Sequence, residues 1–204
     1  MNDKFFDLKK EKQDKMINGA MQVFAHKGYK LASTDDMVKV AGVSKGLWFH
    51  YFVNKAGLYT FVSDYCVKYL NMELAVNLSS KSSDYFDVLY AIEETKAQIA
   101  KIYPYVPLMI QSLKDEKDEE IADVARLKIG PYTEKANEAL EGFDNELLRE
   151  EVDRDMLDMT VGYTIKGIME KAYSNGEFDS DKYLAEVKAY FEMMKKLVYK
   201  AWEK

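Results

Sequence analysis

The chain has 204 residues, 48% of them hydrophobic, and a formal net charge of −6, which suits one large domain or two small ones and excludes a disordered chain. No apolar run reaches the ~18 residues of a membrane span, and MNDKFFDLKK lacks the apolar core of a signal peptide. The single cysteine, Cys66, excludes an internal disulfide and fits a reducing cytoplasm.

The charge is unevenly placed. Residues 1–55 hold ten lysines and six acids, a net of +4, while the remainder holds 19 basic and 29 acidic residues, a net of −10. A basic head on an acidic body is expected where only the head meets phosphate. All ten head cations are lysine, so any contact to guanine is made by an ammonium rather than a bidentate guanidinium.

Residues 1–8 leave two readings open: Phe5, Phe6 and Leu8 extend the first helix or pack on a partner. From about Lys9 the pattern is helical, with Ile17, Ala20, Met21 and Phe24 recurring at i, i+3, i+4 and i+7. Gly28 is expected to end this helix, with Lys27 in its last turn, and Tyr29 then packs or reaches phosphate. Thr34, Asp35 and Asp36 suit the N-terminus of a second helix, by capping and by the helix dipole. Met37, Val40 and Ala41 give it an apolar face, and Gly42 stands where a left-handed C-terminal residue is wanted. Val43 plugs the corner, and Ser44 caps a third helix over Lys45–Phe52. Trp48 and Phe52, four apart, share the face that anchors this helix, leaving Lys45, His50 and Tyr51 to project outward. This is a helix-turn-helix whose second helix is rich in donors, as in helices that enter a DNA major groove.

Asn54 is placed to cap a fourth helix reaching about Leu78, with Leu58, Phe61, Val62, Tyr65, Tyr69 and Leu70 apolar. SSKSSD reads as a loop, and a fifth helix spans roughly Asp84–Tyr103. In YPYVPL, Pro104 breaks that helix and is placed to start the next. DEKDEE, Asp115–Glu120, reads as a solvated turn and helix start rather than a metal site. Ile121, Val124, Ala125 and Ile129 mark a further helix, which Gly130-Pro131 should interrupt or kink. With no strand-like alternation and only 3 Pro and 10 Gly, the chain reads as all-α.

The segment Glu146–Ser174 carries two apolar stripes. One is Val152, Met156, Met159 and Tyr163; the other is Leu157, Val161, Ile165, Ile168 and Ala172. A helix apolar on two sides must be covered on two sides. Gly162 and Gly167 would admit a neighbouring backbone, and Asn175-Gly176 closes the helix. The last helix has a wide stripe from Tyr183 to Val198. The expected interface of a homodimer is therefore Leu157, Val161, Ile165, Ile168, Tyr190, Phe191, Met194 and Leu197, in a four-helix arrangement, the alternative being that these stripes fill a large monomer core. The body holds 13 of the 15 tyrosines and seven of the 11 methionines. These suit an adaptable, largely apolar cavity for a small-molecule effector. Its candidate lining is Tyr65, Tyr69, Tyr90, Tyr103, Met109, Tyr132, Met159 and Tyr163.

The phrase AGVSKGLWFHYFVNKAGLY, with the preceding VFAHKGYKLASTDDMV, resembles the DNA-binding signature of the TetR family of bacterial transcriptional regulators. Phe24, Gly28, Tyr29 and Thr34 stand at the family's spacing, and the resemblance covers roughly residues 9–60. It implies about nine helices: a three-helix helix-turn-helix domain over 1–53 and a helical ligand-binding and dimerisation domain over 54–204. It implies that Lys45 and Gly46 face bases, that His50 and Tyr51 lie near the DNA backbone, and that two copies pair through their last two helices. Thr34, Tyr51 and Lys55 are placed for phosphate, with core packing the other reading of Tyr51, and Ser44 opens the reading helix. The sequence departs from the family at four places. Leu47 stands where a small polar residue is usual and could touch a thymine methyl. Phe49 replaces a frequent tyrosine, Val38 a common alanine, and Ala56-Gly57 two acids; Gly57 would soften the link between head and body.

The expected function is that of a ligand-responsive regulator, most simply a repressor, bound as a dimer to a palindromic double-stranded operator. The alternative is a ligand-independent DNA-binding or scaffolding dimer. Catalysis has little to build on: His26 and His50 are the only histidines, both in the head, and no phosphate loop, zinc-ligand cluster or catalytic-serine motif occurs. No enzyme activity, cofactor, metal or membrane partner is expected.

Overall fold

In the computed structural model, which describes residues 3–78, 84–174 and 178–200, nine α-helices carry the fold. They are α1 (Lys10–Leu31), α2 (Thr34–Ala41), α3 (Lys45–Tyr51), α4 (Lys55–Asn77), α5 (Tyr85–Ala100), α6 (Val106–Asp115), α7 (Ala122–Leu140), α8 (Arg154–Ser174) and α9 (Ser180–Val198). Short 3-10 turns occupy Asp3–Asp7 and Asn145–Leu147. No strand forms among the described residues, so the all-α expectation is met. Nor is any described helix long and apolar enough to cross a membrane. The expected SSKSSD loop, apart from Asp84, and the Asn175-Gly176 stop lie outside the described residues.

The chain packs as two compact units, Met1–Asn71 with Tyr103–Thr133 and Met72–Ile102 with Glu134–Lys204. The division expected at 53/54 is not the one packing makes: the first unit also takes the first part of α4, all of α6 and the start of α7.

In the first unit, α1 buries the stripe expected of it, Ile17, Ala20, Met21 and Phe24, together with Met16. Gly28 breaks the helix at φ 66 and ψ 178, and the chain resumes a helical course to Leu31. The left-handed region costs glycine nothing, which is why the break falls there. Gly19 lets α2 approach: a Cβ built on it would lie 2.9 Å from the Ala41 Cβ and 3.1 Å from the Met37 carbonyl oxygen. Helix α6 begins at Val106, two residues later than expected, with Pro107 in its first turn. Helix α5 already ends at Ala100, short of the expected Tyr103, and Pro107 rather than Pro104 is the proline preset for helix entry. Helix α7 runs through Gly130-Pro131, so of the two expected effects, interruption or a kink, the interruption does not occur. Pro131 deprives only the Leu127 carbonyl of its amide, and Leu127 is 74% exposed, so water can take that place.

In the second unit, α5 packs on α9 and α8 on α9. Asp84 caps α5 by accepting from the Asp87 amide at 3.0 Å, and Asp179 caps α9 through the Asp181 and Lys182 amides. A buried polar set ties α5 to α9: the Tyr183 hydroxyl donates to Glu93 at 2.8 Å, and Lys96 donates to the same carboxylate at 2.7 Å. Lys195 spans Asp84 and Asp87. The expected helix from Glu146 starts only at Arg154. Residues 148–153 run outside any helix. Leu148 bridges Tyr199, Arg149 N–H donates to Val198 O at 2.8 Å, and the Arg149 guanidinium donates to Tyr199 O at 3.0 Å. The C-terminal chain thus satisfies groups that a helix would have satisfied internally.

Because backbone and a Cβ, not a flexible tip, crowd Gly19, Gly19→Ala is expected to destabilise the first unit by about 1–3 kcal/mol. Urea denaturation followed by circular dichroism checks this; an unchanged midpoint would mean α1 and α2 part easily.

Candidate nucleic-acid interface

The head is built from three short-range devices. Ser33 caps α2, its hydroxyl accepting from the Asp36 amide at 3.1 Å and donating to the Asp36 carboxylate at 2.6 Å. The expected cap, Thr34, is instead the first helical residue; Ser33-x-x-Asp36 has the spacing of a capping box, a signal present in the sequence. Gly42 closes α2 in the left-handed region at φ 64, as expected, and the Val43 amide donates to Val38 O at 3.3 Å. Ser44 then caps α3, accepting from the Leu47 amide at 3.2 Å.

Helix α3 has seven residues, too few to persist alone, so its inner face must hold it. Trp48 is fully buried, and Phe52 follows at 3% exposure, their ring centroids 5.7 Å apart. On the outer face Ser44, Lys45, Gly46, Phe49 and His50 are exposed, and Leu47 is half-buried. A Cβ on Gly46 would meet no atom within 4 Å, so nothing in the chain itself requires glycine there. Lys45 pairs with Asp35 at 2.7 Å across the turn, both well exposed. Lys27 pairs with Asp36 at 2.8 Å. That lysine first, then Ser33, holds the Asp36 carboxyl below the usual carboxylate range. Neither lysine–aspartate pair was legible in the sequence.

Two expected phosphate contacts are placed differently. Tyr51 is 8% exposed, its ring edge-on to Phe5 with centroids 5.7 Å apart. It is largely a packing residue, because the N-terminal segment folds over it. Lys55 turns inward: its ammonium donates to Tyr29 O at 2.9 Å, reaches Lys30 O and Ala32 O at 3.4 Å, and lies 4.2 Å from the Tyr29 ring centroid. It satisfies carbonyls at the end of α1 that lack helical partners. Asn54 caps α4 as expected, accepting from the Gly57 amide at 2.7 Å. Gly57 thus lies in the capping turn, and a Cβ on it would come within 3.1 Å of the Asn54 Oδ1.

Tyr29 is a junction that sequence reasoning left undecided. Its amide donates to Glu116 at 2.9 Å and its hydroxyl to Glu120 at 2.7 Å. Burial, then that hydrogen bond, pushes the phenol well above its ordinary value, so it remains a donor. Two acids of the segment read as a solvated turn are therefore structural partners.

The eight expected effector-lining residues do not share one surroundings. Tyr65, Tyr69 and Tyr103 do come together, with ring centroids 5.2–6.4 Å apart. The Tyr65 and Tyr103 hydroxyls are 2.6 Å apart, and Tyr103 is also bonded to Lys10 and Asp14. Met109 and Tyr132 are buried within the first unit. Tyr90 lines a groove of about 180 Å³ in the second unit with Phe86, Phe191 and Lys195. Met159 and Tyr163 are 45% and 69% exposed on α8, so they stand on an outer face rather than around a cavity. The expected interface residues Leu157, Val161, Ile168 and Phe191 are buried within the unit, Ile165, Tyr190 and Met194 are half-buried, and Leu197 is 58% exposed. The inward and outward stripes of α8 are thus reversed from the expectation: periodicity marks both faces as apolar but does not say which one the chain itself covers.

A capped α2, a left-handed glycine turn and a capped, polar-faced α3 define a helix-turn-helix head on an all-helical body. Residues 16–60 match the family model described as bacterial regulatory proteins, tetR family. By this match the N-terminal stretch is similar to that family. The chain is 32% identical over 78 residues to the biofilm operon icaADBC HTH-type negative transcriptional regulator IcaR of Staphylococcus aureus (strain Newman). That match spans 38% of this chain and 41% of the relative, less than half of either. Among solved structures, a TetR family transcriptional regulator from Chloroflexus aurantiacus J-10-FL is similar at TM-score 0.69 and 15% identity, over 98% of this chain and 99% of that one. The fatty acid degradation regulator FadR from Bacillus halodurans is similar at TM-score 0.62 and 18% identity, over 89% and 97%. The fold is therefore shared along nearly the whole chain.

Lys55→Met keeps the stem but removes the charge that holds three carbonyls and the Tyr29 ring. It is expected to cost about 1.5–3 kcal/mol of first-unit stability, as for hydrogen bonds to a charged group. Thermal melts compared with the exposed control Lys39→Met measure it; equal melting temperatures would restore Lys55 to the role of a spare surface cation.

Proposed function

We propose that the chain is a transcriptional regulator, acting as a repressor, that reads double-stranded DNA through α3 as a homodimer and works in the cytoplasm. The observation that carries this is the outer face of α3. It presents Lys45, Gly46, Phe49 and His50 on a helix whose opposite face is fully committed to the core. Glycine costs a helix about 1 kcal/mol relative to alanine. At Gly46 no internal contact accounts for that cost, whereas a closely approaching base or phosphate does. The half-buried Leu47 and exposed Phe49 suit contact with thymine methyls. Ser44, Lys45 and Thr34 lie around the α2–α3 turn, where helix N-termini face phosphate. The name of the Staphylococcus aureus relative, a negative transcriptional regulator, supports repression.

The second copy is assigned to the outward stripe of α8 and α9. Met156, Met159 and Tyr163 on α8, and Met193 and Leu197 on α9, are 45–69% exposed. Gly162 and Gly167 beside them have open space above. A large apolar stripe of this kind is unusual on a monomer and suits a symmetric helical interface. An effector would engage the Tyr65–Tyr69–Tyr103 cluster. One observation favours a ligand-independent regulator instead: the Tyr65 and Tyr103 hydroxyls already bond each other, and the Tyr103 hydroxyl also accepts from Lys10 and donates to Asp14. Mass spectrometry of small molecules released from the purified chain separates the two readings.

Binding to a duplex enriched from a random pool should fall about 10³-fold between 50 and 200 mM salt. Lys45→Ala should cost about 1–3 kcal/mol on that duplex. Salt-independent binding, or the same affinity for Lys45→Ala, would refute α3 as the reading helix. The double change Tyr163→Glu and Leu197→Glu should convert a species of twice 23.6 kDa to one of 23.6 kDa in sedimentation; an unchanged mass would place the interface elsewhere.

A further inference from the structure

The segment before α1 is part of the head. Asp3–Asp7 forms a 3-10 turn, and Phe5 is fully buried. Its ring meets Tyr51 at 5.7 Å, Phe52 at 5.2 Å and Phe61 at 5.5 Å between centroids. Tyr51 and Phe52 are the last residue and the C-cap of α3, and Phe61 lies on α4. Phe52 in turn packs on Trp48 and Phe61. Gln13, almost buried, ties the segment down, its side-chain amide donating to Phe6 O at 3.0 Å and Leu8 O at 2.8 Å. The N-terminal end of α3 is fixed by the Ser44 cap and the Gly42 turn. The C-terminal end has no comparable turn, and the Phe5 wedge fills the space against it.

We propose that Phe5 is a positioning residue for DNA reading: wedged between the C-terminal end of α3 and α4, it sets the tilt of the reading helix, so that residues 3–8 govern sequence discrimination without touching a base. This rests on the reading of α3 as the DNA-binding helix. A wedge of this kind acts on base contacts, which demand that side-chain donors lie within hydrogen-bond reach of groove edges. It acts much less on the sequence-independent attraction between lysines and phosphate. Loss of Phe5 should therefore lower specificity more than it lowers affinity for DNA in general.

The test uses the full chain, a duplex enriched by the wild type from a random pool, and a shuffled duplex of the same composition. The wild type should prefer the enriched duplex. Phe5→Ala should reduce that preference about tenfold, the loss of roughly one good base contact, with binding to the shuffled duplex and far-UV helicity unchanged. Gln13→Ala, which frees the segment without emptying the wedge site, should reduce it in the same direction by a smaller factor. Phe5→Leu, which refills most of the wedge site, should restore most of it. Where Phe5→Ala loses helicity, Gln13→Ala decides. Wild-type preference in both variants, or equal loss on both duplexes, overturns the wedge while leaving α3 as the reader. Failure of the wild type to enrich any duplex overturns the DNA reading itself.

Discussion

Tyr29 is held from both sides by charge, and the geometry of the first unit depends on it. Gly28 turns the backbone so that the Tyr29 amide leaves the α1 ladder and meets Glu116. The hydroxyl meets Glu120, and the Lys55 ammonium covers the ring and takes the carbonyl. One residue thus joins the end of α1, the start of α4 and the segment between α6 and α7. Its ring also packs on Phe24 and Tyr59, both fully buried. Hydrogen bonds to charged partners are worth more than neutral ones, and here three meet on one buried residue. Helices of eight and seven residues cannot set their own orientation. α2 and α3 take theirs from this frame, from the Gly19 approach and from the aromatic floor of Trp48, Phe52, Phe61 and Phe5.

The proposed division of labour follows from what that frame leaves outside. The inner face of α3 is spent on packing, so its outer face carries the donors and the bare Gly46 backbone. Lysines of the head are partly engaged before any partner arrives, Lys45 with Asp35, Lys27 with Asp36 and Lys10 with Asp14. Exposed pairs of this kind contribute little stability and exchange readily for phosphate. In the second unit α8 likewise keeps Leu157, Val161 and Ile168 inside and leaves Met156, Met159 and Tyr163 exposed, the stripe proposed above for a second copy.

Much of this was legible in the sequence. The 3.6 period gave the helix ladder, and Asn54, Ser44 and Gly42 act as read because caps and left-handed glycines depend only on neighbours a few residues away. The misplacements have one cause, tertiary context. Lys55 looked like a phosphate anchor because its partners, the carbonyls of residues 29, 30 and 32, carry no side-chain signature. The acids of DEKDEE looked solvated because the Tyr29 groups they accept from lie some 90 residues earlier in sequence. Two apolar stripes on α8 look alike until a neighbour covers one. The helix expected from Glu146 yields to pairing with Tyr199, some 50 positions away. Phe5 and Phe6 were ambiguous because a five-residue turn has no period to read.

The central claim is that two copies of this head read one duplex, each through α3. Hydroxyl-radical footprinting of the full chain on an enriched duplex tests it most directly. Two symmetric protected patches, centred about one helical turn or a multiple of it apart, are predicted for paired reading helices. A single unsymmetric patch, or uniform protection with no preferred position, would contradict it.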